Sequence, residues 1–101
     1  MTTFTPIPAA LSGIKPENLE RALAMVRQPH PPMAAERSVE YAGGDDYFAA
    51  WLLFLDARFL RSIGLSLFDL ADTTLRDFYD DGITPAEAYG LVKEGDDLFG
   101  F

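Results

Sequence analysis

The sequence predicts a mainly α-helical single domain: a small irregular bundle of about four helices with an extended N-terminal arm and room for one short strand near 37–42. Three observations predict it. Apolar residues recur at three- and four-residue spacing through several stretches. Most of those stretches open on capping residues and close on glycine. Finally, 49% of the 101 residues are apolar and none is cysteine, so one core held by packing alone must stabilise the chain.

Residues 1–15 hold Pro6, Pro8, Ser12 and Gly13 without a sustained period and read as the arm, with Phe4, Ile7, Leu11 and Ile14 as anchors to the body. Lys15-Pro16-Glu17 opens the first helix, because proline at the first helical position loses no hydrogen bond and an acid there faces the positive end of the dipole. Leu19, Ala22, Leu23 and Val26 then share one face as far as Arg27. Pro29, Pro31 and Pro32 forbid helix and make 28–35 a stiff connector. The alternation of Val39 and Tyr41 suggests the short strand, and Gly43-Gly44 breaks the chain after it.

Asp45 or Asp46 caps the longest helix, expected from Tyr47 to Ile63 and closed by Gly64. Its main apolar face is Phe48, Leu52, Leu55, Phe59 and Ile63, with Ala49 and Leu60 beside it. A second stripe, Tyr47, Trp51, Phe54 and Arg58, lies on the other side, so this helix must be covered twice or leave one side for a partner. Ser66 caps a further helical stretch that extends to Asp81, with Asp72-Thr73-Thr74 as a second place to start, and Gly82 ends it. Thr84-Pro85-Ala86-Glu87 is a capping box that opens a last short helix. Gly95 is expected to stop that helix and leave 95–101 as an acidic tail.

The formal charge of −8 is concentrated after Phe68. Before that point acids and bases nearly balance. After it Asp69, Asp72, Asp77, Asp80, Asp81, Glu87, Glu94, Asp96 and Asp97 face only Arg76 and Lys93. Such a surface repels phosphate, so direct nucleic-acid binding is not expected unless the near-neutral part presents a basic patch, but it suits a basic nucleic-acid-binding protein as partner. The longest apolar run, Tyr47 to Leu55, is half of what a membrane span requires. Without a leader-like N-terminus, a cytoplasmic location is expected.

Catalytic machinery is hard to find. His30 is the only histidine and sits among prolines without a partner. Ser12, Ser38, Ser62 and Ser66 lack a nucleophile-elbow context, and no glycine-rich phosphate loop follows a strand. Asp77 to Ala88 resembles a calcium loop only until Tyr79 and Ala88 fall at ligand positions; a helix cap followed by a capping box explains the same residues. No enzyme, cofactor or metal site is expected.

The stretch Leu65-Ser66-Leu67-Phe68-Asp69-Leu70-Ala71-Asp72, followed by Asp77 to Ala88, resembles the closing helical hairpin of small uncharacterised bacterial, plasmid and phage accessory proteins. The resemblance implies a mobile-element setting, in which small acidic inhibitors of host nucleic-acid enzymes occur, and it brings no catalytic or binding residue with it. The expected function is therefore a non-catalytic interaction or regulatory protein that binds a protein partner, or a second copy of itself, through Tyr47, Trp51, Phe54 and Arg58, residue types enriched in binding hot spots. The alternative is an inhibitor whose carboxylates imitate nucleic acid, with a small hydrolase as a residual class.

Overall fold

The computed structural model describes residues 7–69 and 75–100, the side chains of Ala34 and of 93–100 excepted. It is mainly helical: α1 (Pro16–Val26), α2 (Met33–Ala42), α3 (Asp46–Ile63), α4 (Leu75–Asp80) and α5 (Pro85–Gly100), with 3-10 turns at Ala9–Leu11 and Leu67–Asp69. There is no strand among the described residues.

Helix α3 is the axis of the fold; α1, α2 and α5 all pack against it. It begins where Asp45 accepts the Phe48 backbone N–H at 3.1 Å. It ends at Gly64, whose φ of 73° is a conformation that only glycine adopts without strain. Both of its apolar sides are covered. Phe48, Leu52, Leu55 and Phe59 are buried on one side, and Ala50 and Trp51 on the other. Two residues expected on the core face, Leu60 and Ile63, are instead 46% and 41% exposed.

The strand expected near 37–42 is helix α2. A lone strand leaves its backbone groups unpaired, whereas a helix satisfies them within the segment. The period that matters there is Ala35, Ser38, Val39 and Ala42, which face the core, and the alternation of Val39 with Tyr41 is incidental. The prolines do not hold the chain open as far as 35. Pro32 stands just ahead of the first turn of α2, where a missing N–H breaks nothing, so the connector is shorter than expected.

Residues 1–6 of the expected arm, Phe4 among them, lie outside the described residues; of its other expected anchors Leu11 is buried, Ile14 half-buried and Ile7 exposed. Ala10 and Leu11 are buried in the 3-10 turn, which packs against α4. The stretch expected as one helix from Ser66 to Asp81 holds a 3-10 turn and the short α4, with 70–74 outside the described residues. Asp56, buried on α3, anchors the first of these by accepting the Leu67 N–H at 2.7 Å and the Ser66 hydroxyl at 2.8 Å.

After α4 the chain turns in a closed set of hydrogen bonds. The Gly82 N–H reaches Tyr79 O at 3.1 Å and the Ile83 N–H reaches Phe78 O at 3.0 Å, the paired bonds of a Schellman cap. Gly82 supplies the positive φ of 80° and approaches Ala9 so closely that a Cβ would sit 3.2 Å from the alanine methyl. The capping box then forms as expected: Thr84 N donates to Glu87 Oε1 at 3.2 Å, and Glu87 N donates to Thr84 Oγ1 at 3.3 Å. Gly95 does not stop the helix that follows. Glycine weakens a helix interior without forbidding it, and α5 continues to Gly100, so the expected tail is helical backbone up to that residue.

Tyr79 packs its ring against Phe48 and Trp51, with centroids at 5.0 and 5.9 Å. Burial, reinforced by the Asp45 carboxylate, pushes its phenol up to about 12. An unfolded tyrosine ionises near 10, so above that pH the unfolded chain gains stability from losing a proton that the native state keeps. The contribution of Tyr79 is thus intact below about pH 10 and is lost as pH rises through about 12. Urea midpoints measured across this window should fall for the wild type and fall less for Tyr79→Phe; parallel curves would contradict the assignment.

Candidate functional site

The four residues expected to form an aromatic surface do not share one. Trp51 is fully buried, and its indole N–H donates to the Ile83 carbonyl at 2.8 Å. Tyr47 and Phe54 are half-buried, and Arg58 is exposed. A continuous aromatic face is therefore absent: the indole that was to be its centre serves the core and fixes the turn before α5.

That turn in turn builds a cleft. Phe54, Arg58 and Arg61 on α3 form one wall, and Thr84, Pro85 and Ala86 at the start of α5 form the other. Ser12, Gly13 and Ile14 close the third side of a space of about 380 Å³. Pro85 is buried and Ile14 and Phe54 are half-buried, so the lining offers apolar surface beside the charges. Arg58 and Arg61 are three residues apart on one helix, which makes them neighbours. Neither makes an ion pair or a hydrogen bond among the described residues, and no carboxylate lines the cleft. Arg61 also lies in the last turn of α3, where a cation suits the negative end of the helix dipole. Arg58 has no such internal explanation. Each guanidinium is a planar fork of donors, the chemistry that matches carboxylate or phosphate oxygens.

The expected acidic surface is partly neutralised within the chain. Asp69 pairs with Arg37 at 3.0 Å, and Asp80 pairs with Arg76 at 3.2 Å. Arg76 also reaches Asp45 at 3.1 Å and lies over the rings of Phe48 and Tyr79, at 4.9 and 5.4 Å from their centroids. Glu87 is engaged in the capping box. Asp77 and Asp81 remain exposed without an ion pair among the described residues. Asp72 lies outside the described residues, as do the side chains of Glu94, Asp96 and Asp97, whose backbone belongs to α5.

The residues weighed as chemistry are scattered. His30 is exposed in the connector, Ser38 is buried, Ser62 is exposed and Ser66 donates to Asp56. Among the described residues no group of three histidine, aspartate or glutamate side chains is placed to hold a metal ion, and no helix is long and apolar enough to cross a membrane.

Over 41 residues the chain is 46% identical to the Gene 87 protein of Mycobacterium phage L5, a match that spans 41% of this chain and 77% of that protein. The chain belongs to the Gene 87 family. The kinship with small phage proteins expected from the sequence is thereby established. No family model matches the chain, and no solved structure matches it. The name Gene 87 protein states no activity, so the site of this family member rests on its geometry.

Within that geometry, Phe54 and Arg58 were legible as surface candidates, whereas Arg61 and the two other walls were not. One signal for the arginines was present. Neither Arg58 nor Arg61 has an acid three or four positions away on the helix, the spacing at which an intrahelical partner stands.

Proposed function

We propose that this phage-family protein is a non-catalytic interaction protein whose Phe54–Arg58–Arg61 cleft takes an acidic segment of a protein partner. One observation carries the proposal: in a chain of net charge −8, the cleft is lined by no acid and by two arginines that have no ion pair among the described residues. The arginines hold carboxylates of the segment, and Ile14, Phe54 and Pro85 receive an adjacent apolar side chain. Charged contacts of this kind set specificity and association rate, while the apolar contact supplies desolvation. The absence of cysteine suits work in the reducing cytoplasm of a host cell.

Imitation of nucleic acid has less support. A mimic needs free carboxylates at phosphate-like spacing, and Asp69 and Asp80 are bound to arginines while Glu87 caps a helix.

The test uses a fluorescein-labelled peptide of alternating glutamates with one leucine and one phenylalanine, followed by anisotropy. Binding should weaken on adding salt and fall by about tenfold or more in Arg58→Glu/Arg61→Glu, roughly the loss of 1.4 kcal/mol or more. Arg21→Glu, an exposed charge reversal on α1 outside the cleft, should bind nearly as the wild type. Equal binding by the double variant and the wild type would refute the assignment.

A further inference from the structure

The cleft offers donors from more than one wall. Arg58 and Arg61 supply two guanidiniums from α3, and their spacing makes them neighbours on the helix. Neither has an ion pair or a hydrogen bond among the described residues. The backbone adds to them. Gly13 and Ala86 line the other two walls, and the N–H of each makes no hydrogen bond among the described residues. Ala86 is the second residue of α5, whose first turn carries the positive end of the helix dipole. At Gly13 a Cβ would meet nothing within 4 Å, so no side chain crowds that stretch of backbone. No acid lines the cleft, and Glu87, which follows Ala86, is tied to Thr84 in the capping box.

A carboxylate and a phosphoryl group use such a site differently. A carboxylate carries one charge on two coplanar oxygens, and a single guanidinium fork satisfies it. A phosphoryl group on a side chain carries about −1.5 to −2 at neutral pH and presents three acceptor oxygens that do not share a plane with their attachment. Two guanidiniums with backbone donors beyond them exceed what one carboxylate can use and match what one phosphoryl group offers. The remaining lining is apolar, with Pro85 buried and Ile14 and Phe54 half-buried. A space of about 380 Å³ therefore has room for a neighbouring apolar side chain as well as the anion.

We infer that the group the cleft selects is a phosphoryl group on a side chain of the partner segment, held by Arg58 and Arg61 with the Gly13 and Ala86 N–H groups as further donors. The inference deepens the reading of the cleft as a receptor for an acidic segment, and it rests on that reading. A protein segment fits better than a nucleic acid. A nucleic acid would bring a row of phosphates to a chain of net charge −8, which repels those beyond the cleft, whereas a phosphorylated residue brings one.

Three forms of the labelled peptide, alike except for a central serine, glutamate or phosphoserine, test this by anisotropy, with circular dichroism to establish that each variant is folded. The wild type should bind the phosphoserine form about tenfold more tightly than the glutamate form, and the serine form more weakly than either. Arg58→Gln and Arg61→Gln, made singly, should each bring phosphoserine binding down to about the glutamate level, because one fork then remains. Inorganic phosphate should displace the phosphoserine form only in large excess, since it makes no apolar contact with Phe54 or Pro85. Equal binding of the phosphoserine and glutamate forms by the wild type would overturn this inference and leave the cleft standing as a receptor for carboxylates. A phosphoserine preference that survives both substitutions would overturn it too, by placing the phosphoryl group away from the arginines. Inorganic phosphate that binds as tightly as the phosphopeptide would overturn the choice of a protein segment. Failure of all three forms to bind would overturn both readings of the cleft.

Discussion

Trp51→Ala should remove most of the stability of the fold. The indole is fully buried and stacks with Phe48 at 5.9 Å between ring centroids. Its N–H satisfies the Ile83 carbonyl at 2.8 Å. Truncating a buried aromatic side chain costs about 3–5 kcal/mol through lost transfer energy and the cavity left behind. The half-buried Ile83 carbonyl, left without its donor, adds about 1 kcal/mol, the low end of the cost for a fully buried group. Domains of this size are stable by only about 5–15 kcal/mol in total, so the variant should be marginally folded at room temperature. Trp51→Phe separates the two effects, since it keeps much of the packing and loses only the donor; a cost of about 1–2 kcal/mol is expected. Urea denaturation followed by far-ultraviolet circular dichroism measures both. The reading of Trp51 as a core residue fails if Trp51→Ala lies within about 1 kcal/mol of the wild type, the range of ordinary surface substitutions.

The second large effect belongs to Asp56→Ala. Asp56 is 5% exposed and is held inside the fold by two donors, Leu67 N and Ser66 Oγ. Removing the carboxylate strands the buried Leu67 N–H, and a charge-assisted bond to a backbone amide is stronger than a neutral one. A loss of about 2–3 kcal/mol is expected. Asp56→Asn retains an acceptor oxygen and should lose about half as much. Ser66→Ala keeps the Leu67 bond and should lose least. Hydrogen exchange gives an independent readout: the Leu67 amide should be protected in the wild type and in Ser66→Ala, but exchange much faster in Asp56→Ala. Unchanged protection there would mean that the amide finds another acceptor and that Asp56 does not anchor the 3-10 turn.

Such bonds show why some elements were readable from sequence and others were not. The starts of α3 and α5 follow from a side chain three residues from the amide it caps, as at Asp45 and Thr84. Proline at the first helical position marks α1 in the same local way. Helix α2 was missed because Val39 and Tyr41 alternate over a span too short to separate a period of two from one of 3.6, and prolines precede it. Gly95 misled for a related reason. A glycine ends a helix when it takes a left-handed conformation and the next residues cap the free carbonyls, as at Gly82, but it is also tolerated inside a helix, and composition alone does not say which.

The site was half legible. Phe54 and Arg58 stood out as members of an aromatic and cationic stripe, and both line the cleft. Apart from Arg61 on the same helix, their companions come from segments 12–14 and 84–86, which sequence separation hides and the docking of α5 beside α3 brings together. The bond from Trp51 to Ile83 fixes that docking at the turn just ahead of the cleft wall.

By itself the sequence determined that this protein is helical, acidic mainly after Phe68, and built around a long helix apolar on two sides. These properties depend on residues close together in the chain, through capping, periodicity and the sum of charges. Only the tertiary structure decided what covers each side of that helix, which carboxylates meet arginines and which arginines have no partner among the described residues. Those outcomes depend on how distant segments pack, since a side chain is buried or neutralised only by what another part of the chain brings to it.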